Sequence, residues 1–206
     1  RDGESLGIRL RGAGPFALRP VDFAKYKRVT ISKDKEKDPV PVVLALPDDG
    51  ATGTDPVAMM NTRGMFIATG VEFIIDATLF PRSKSVTLVR SSSSDVRLSG
   101  CRVSAIGDSE ESPAVTVVQV SGDAVSREGG PATTRVWVQD SVIRGDKVTA
   151  VELVTPAVDV ILRDTFVWAL SGGGIRCEGE AADADLKVLR NVRLRRATVL
   201  SGKQVV

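Results

Sequence analysis

Val160-Ile-Leu-Arg-Asp164-Thr-Phe-Val167 is the stretch that decides the fold. Apolar and polar residues alternate on both sides of Asp164, as on half-buried strands, and the aspartate stands between the two runs. The arrangement recurs at Phe66-Ile-Ala-Thr-Gly70-Val-Glu-Phe73, Val96-Arg-Leu-Ser-Gly100-Cys-Arg-Val103 and Val136-Trp-Val-Gln-Asp140-Ser-Val-Ile143. A weaker copy is Lys187-Val-Leu-Arg-Asn191-Val-Arg-Leu194. Gly, Asp and Asn tolerate a left-handed backbone better than other residues. One of them between two short strands makes a sharp bend, and such a bend at a near-fixed interval marks a solenoid of stacked β-coils. Gly70, Gly100, Asp140, Asp164 and Asn191 are expected to form a bend column whose role is conformational and hydrogen-bonding.

The intervals between these residues are 30, 40, 24 and 27. Three short strands and their turns need about two dozen residues. The shortest interval is thus a bare coil, and the longest carries the surface insertions 107–113 and 121–134. Each interval also holds a further strand: Val57–Met60, Val86–Val89, Val115–Val120, Thr149–Leu153, Gly174–Cys177 and Lys203–Val206. A coil reads as first strand, turn, second strand, bend, third strand, loop. Alternation points Val96, Leu98, Val136, Val138, Val160 and Leu162 inward on second strands. On third strands Cys101, Val103, Ser141, Ile143, Thr165, Val167, Val192 and Leu194 point inward. On first strands Val86, Leu88, Val151, Leu153, Ile175 and Cys177 do; Lys187, at an inward position of the strand before Asn191, breaks the rule. Residues 57–206 form the regular coils; residues 1–56 are irregular opening coils of the same domain, with strands near Ile8–Leu10, Phe16–Leu18, Val29–Ile31 and Val40–Leu46. The start at Arg1 and the strand-like end at Val206 read as cuts through a longer polypeptide.

The 206 residues suffice for one domain with a sizeable core. Few aromatics and many branched aliphatics favour strands over a helical bundle. A formal net charge of +2 provides no long-range field to draw nucleic acid, and the four arginines of 190–196 read as a solvated strand face. No histidine is present, which excludes Ser-His-Asp and Cys-His chemistry within the chain and removes the common zinc ligand. Cys101 and Cys177 cannot make a disulfide framework and read as two buried thiols. No apolar run is long enough to span a bilayer. The composition leaves the compartment open.

The repeated strand, Gly/Asp/Asn bend and strand with stacked Val and Leu resembles the right-handed parallel β-helix of pectate-lyase-like proteins, best over residues 57–206. The opening, with Gly-Ala-Gly-Pro-Phe-Ala-Leu-Arg-Pro from Gly12 to Pro20, Lys27-Arg-Val-Thr-Ile31 and Pro41-Val-Val-Leu44, resembles uncharacterised β-helix domains of large planctomycete-type bacterial proteins. In some of those the β-helix accompanies a protein kinase domain. The expected fold is therefore all-β, a single-stranded right-handed parallel β-helix of three-strand coils. The resemblance points to the cell envelope or periplasm without excluding the cytoplasm. It assigns no activity: the Asn-Thr-Asp, Asp-Asp and Gly-His-Gly segments of polygalacturonases are missing, and so are the Arg-x-Pro-x-x-Arg segment and calcium-binding aspartates of pectate lyases. Fold alone does not set function.

In such enzymes the substrate groove lies over the first-strand sheet, where Thr87, Thr116, Glu152, Arg176 and Glu178 are expected to face outward. Glu152 and Arg176 on adjacent coils either grip a sugar acid, with Glu178 as a second acid, or form a cross-strand salt bridge on a solvated face. Asp108, Glu110 and Glu111 read as a solvated loop rather than a calcium site, so no metal or cofactor is expected. Gly172-Gly173-Gly174 reads as a turn, since no helix follows it to bind a phosphate. Trp137 and Ile161 project from second strands, and Val142 and Phe166 from third strands beside them. Together they are expected to form a contiguous apolar binding patch, with Trp168 available to stack on a sugar ring. The leading expectation is a non-catalytic binding or spacer module of a larger bacterial protein, with a polysaccharide as ligand. The alternatives are a polysaccharide lyase or hydrolase, and an assembly module that contacts another domain or a second copy.

Overall fold

The structure is a computed structural model that describes residues 3–48, 54–92, 94–107, 111–121, 126–127, 130–131, 134–154, 158–177 and 190–201. Among these the chain winds through seven coils with no α-helix. The first is β1 (Ser5–Leu10), β2 (Phe16–Leu18) and β3 (Val21–Asp22); the second is β4 (Arg28–Lys33), β5 (Val42–Ala45) and β6 (Val57–Thr62). The third is β7 (Met65–Thr69), β8 (Glu72–Asp76) and β9 (Ser85–Ser91); the fourth is β10 (Val96–Ser99), β11 (Arg102–Ile106) and β12 (Ala114–Val120). A two-stranded hairpin, β13 (Ser126–Arg127) and β14 (Gly130–Pro131), precedes the fifth coil. That coil is β15 (Thr134–Gln139), β16 (Val142–Gly145) and β17 (Val148–Leu153). The sixth is β18 (Val158–Arg163), β19 (Phe166–Ala169) and β20 (Gly173–Cys177), and the last has β21 (Arg190–Arg195) and β22 (Thr198–Ser201).

Stacking the coils makes three all-parallel sheets. Sheet A runs β1-β4-β7-β10-β15-β18-β21, sheet B runs β2-β5-β8-β11-β16-β19-β22, and sheet C runs β3-β6-β9-β12-β17-β20. This is the parallel β-helix expected from the bend pattern. Sheet A holds the second strands of the sequence pattern, sheet B the third and sheet C the first. The opening strands β1 to β5 join these same sheets in register. What sets them apart is their A-to-B corners, which are the loops 11–15 and 34–41 instead of a single bend residue.

From the third coil on, each A-to-B corner turns at one left-handed residue: Gly70 (φ 63°), Gly100 (φ 61°), Asp140 (φ 50°), Asp164 (φ 50°) and Arg196 (φ 49°). A Cβ on Gly100 would lie 3.9 Å from the Gly70 backbone, an ordinary contact, so it is the left-handed backbone rather than lack of space that favours glycine there. The bend amides continue the ladder, Gly100 N–H donating to the Gln139 carbonyl and Asp140 N–H to that of Arg163. Just past the bend, small polar side chains turn back onto the preceding strand. The Ser141 hydroxyl donates to the Gln139 carbonyl (2.6 Å) and that of Thr165 to the Arg163 carbonyl (2.8 Å), while the Cys101 thiol reaches the Ala68 carbonyl (3.4 Å). Burial holds the Cys101 thiol pKa above its ordinary value, against three opposing backbone hydrogen bonds, so it is a neutral packing group.

Asn191 is not a bend residue. It lies on β21 opposite Asp159, and Arg196 occupies the bend. Val192 and Leu194 continue the inward columns of Val160 and Leu162 on sheet A, not sheet B. They are 43% and 51% exposed because no described strand stacks on β21. Cys177 is likewise exposed rather than buried, at the end of β20, the outermost described strand of sheet C. Lys187 and the strand expected at Lys203–Val206 lie outside the described residues.

The remaining inward columns of sheets A and B are as expected. Val96, Leu98, Val136, Val138, Val160, Leu162, Val103, Ile143 and Val167 are fully buried in one continuous core. Each such side chain contributes about 1.5–3 kcal/mol of transfer free energy. Sheet C departs from simple alternation. Its register pairs skip Leu88, Val117 and Ala150 in consecutive coils, and the residues after them, Val89, Val118 and Val151, are also fully buried. Alternation shifts phase at this one column, as at a strand bend. Both of its phases therefore bury apolar residues.

Candidate functional site

The inward faces repeat; the outward faces do not. On sheet C, past the phase shift, the register aligns Asp22, Asn61, Arg90, Gln119, Glu152 and Arg176. Arg90 Nε donates to Gln119 Oε1 at 2.7 Å, Gln119 Nε2 donates to Glu152 Oε2 at 2.7 Å, and Arg176 Nη1 lies 3.9 Å from Glu152 Oε1. The coils thus bring Glu152 and Arg176 together as expected. Glu152, however, is only 7% exposed and so is not on a solvated face. Gln119 and Arg90, which the sequence reading passed over, complete the ladder; only coil register identifies them. Thr87 and Thr116 share a column with Thr149, and all three are buried rather than presented to solvent. Glu178, Asp108 and Glu110 lie outside the described residues. Among the described residues no three His, Cys, Asp or Glu side chains are placed to hold a metal.

Sheet B carries two outward columns. One aligns Val42, Glu72, Arg102, Val142, Phe166 and Thr198, and the other Leu44, Ile74, Ser104, Arg144, Trp168 and Leu200. Seven of these twelve side chains are apolar. Phe166 is 38% exposed and Trp168 46%. Trp168 lies within β19 and lines a cleft of about 370 Å³ with Ile74, Ile106, Leu170, Arg144, Ser104 and Asp146. Arg144 Nε donates to the Ser104 hydroxyl at 3.0 Å, and Arg144 is the register neighbour of Trp168 in the same column. An exposed indole with a few oriented polar groups in an apolar depression is the general form of a small-ligand site.

Sheet A is basic. Arg9, Arg28, Arg97, Arg135, Arg163, Arg193 and Arg195 occupy its outward strand positions, against Asp159 alone. Asp95, just before β10, accepts from the Arg135 backbone N–H at 2.9 Å. Trp137 and Ile161 share the column of Arg97 and Arg193 and are half-buried. The Arg97 guanidinium stacks over the Trp137 ring, 5.4 Å from its centroid, and the indole N–H is buried without a partner. Between these residues and the Val142/Phe166 pair runs the polar bend ridge. Gln139 donates to Asp140 there, and Asp164 is held by Arg163 (3.2 Å) and in a two-point fork by Arg196, whose Nη2 lies 2.8 Å away. Chiefly through Arg196, this holds the Asp164 carboxyl below the usual carboxylate range. The expected apolar patch is thus two patches on two sheets with a charged ridge between them.

No protein-family model matches the chain, and no curated protein or solved structure matches it. No helix among the described residues is long and apolar enough to cross a membrane.

Proposed function

We propose that this chain is a rigid β-helix binding module of a larger bacterial protein, holding rather than cleaving its ligand, with carbohydrate as the ligand class. The observation that carries the reading is the exposed Trp168 indole beside the Arg144, Ser104 and Asp146 polar groups in a ready-made cleft. Sugars present an apolar ring face and a polar rim, which suits an aromatic platform flanked by hydrogen-bonding groups. Binding is favoured over turnover because Glu152, at the centre of the sheet C ladder, is only 7% exposed and hydrogen-bonded by Gln119, which keeps it from a polymer lying on the surface. A lyase or hydrolase would need such an acid free to exchange a proton.

The test is a titration of purified protein with neutral and acidic polysaccharides, following tryptophan fluorescence and reducing ends together. Saturable binding without cleavage, lost in Trp168→Ala, supports the reading. Cleavage lost in Glu152→Gln overturns it in favour of an enzyme. The apolar character of sheet B favours one competing reading, a protein contact on that face. Self-association abolished by Phe166→Asp, with no polysaccharide bound, would establish that alternative.

A further inference from the structure

Sheet A carries charge that the whole chain does not. Its outward strand positions hold seven arginines against one aspartate, in a chain whose formal net charge is only +2. Among the described residues only Arg163 of the seven is paired with a carboxylate. Parallel strands repeat about every 4.8 Å, so the seven strands make a track about 30 Å long. At its later end Arg163 and Arg195 are register neighbours, and Arg193 stands beside Ile161. No lysine occupies an outward strand position of this sheet. Guanidinium groups grip planar or multi-oxygen anions at two points, which an ammonium cannot do. A rigid face on which positive charge predominates raises the local concentration of counter-charged ligand.

We infer that the outer face of sheet A binds an anionic polysaccharide, its carboxylates or sulfates held by arginines spread along the coil stack. A single-stranded nucleic acid fits the face poorly. Such ligands stack bases on exposed aromatics, and the one aromatic on this face, Trp137, already carries the Arg97 guanidinium. The surface lies on a different sheet from the Trp168 cleft, so either site can fail while the other stands.

The test uses the purified chain with polygalacturonate, dextran sulfate, uncharged dextran and a single-stranded oligonucleotide, at low and high ionic strength. Polygalacturonate or dextran sulfate should bind, dextran should not bind through this face, and affinity should fall as salt rises. Arg193→Glu with Arg195→Glu, both exposed, should weaken binding by about a hundredfold, since each lost charge-assisted contact is worth about a factor of ten. Should the β21 pair disturb the terminal coil, Arg28→Glu with Arg135→Glu on interior strands serves in its place. Failure of both polyanions to bind at low salt, or affinity unchanged in the arginine variants, overturns the inference. Tighter binding of the oligonucleotide than of either polysaccharide overturns the assignment of ligand class.

Discussion

Sheets A and B share one backbone plan and one core, yet their outer faces are chemical opposites. Sheet A presents seven arginines along its strands; sheet B presents Val42, Leu44, Ile74, Val142, Phe166, Trp168 and Leu200. Their inward columns are interchangeable in kind, all Val, Leu, Ile and Phe with a few small residues. The inward half of each strand therefore specifies the solenoid. The outward half is free of that constraint, and it is where recognition chemistry differs between faces.

This contrast can be broken at several points. The largest effect is expected inside. Leu162→Ala on sheet A and Ile143→Ala on sheet B, both fully buried, should each cost about 2–5 kcal/mol in urea unfolding. A large difference between the two would mean that the sheets do not share one core. Next is the corner that joins them. Gly100→Val places a β-branched residue at φ 61° and should cost about 1–2 kcal/mol, whereas Gly100→Asn should cost much less. Equal losses would show that crowding against Gly70, not backbone handedness, limits the column.

On the outer faces, Arg195→Ala and Trp168→Ala should each change stability by about 0.5 kcal/mol or less. Each should weaken binding on its own face only. A joint loss would mean the two faces serve one ligand. The smallest effect is electrostatic. The folded-state pKa of Asp164 is depressed by Arg196, so its stabilising contribution is present above the unfolded carboxylate value and is lost as pH falls through the folded one. Asp164→Asn tolerates the same backbone and removes the charge. The wild-type advantage over this variant should be seen at neutral pH and vanish in acid; an advantage that persisted or grew on acidification would exclude the ion pair as its source.

The bend column shows how far the chain can be read without coordinates. Gly70, Gly100, Asp140 and Asp164 are the residue types that a left-handed corner favours, and all four occupy one. Arg196 is not, and a left-handed arginine carries a cost of about 1–2 kcal/mol, partly offset by its fork with Asp164. Asn191 has the favoured chemistry but the wrong phase. The signal that locates the corner is the apolar pair Val192 and Leu194, spaced before Arg196 as Val160 and Leu162 are before Asp164. Apolar phase outranks bend chemistry because burying a column of side chains outweighs one backbone preference. Sheet C misled the reading in another way: its phase shift buries consecutive residues, so alternation there fits either face.

By itself the sequence determined the coils, the bend residues from Gly70 to Asp164 and the inward columns of sheets A and B up to the sixth coil, because these are local patterns of period two punctuated by one residue type. It also determined the chemistry that is excluded, since a chain without histidine cannot use one. Only the tertiary structure decided which outward residues become neighbours. Arg90, Gln119 and Glu152 are about thirty residues apart along the chain, and coil length, set by variable loops, fixes whether they meet. The same register gathers Arg163, Arg193 and Arg195 on one face and Ser104, Arg144 and Trp168 on another. Hydrogen bonding between coils, not spacing within the chain, assembles those surfaces.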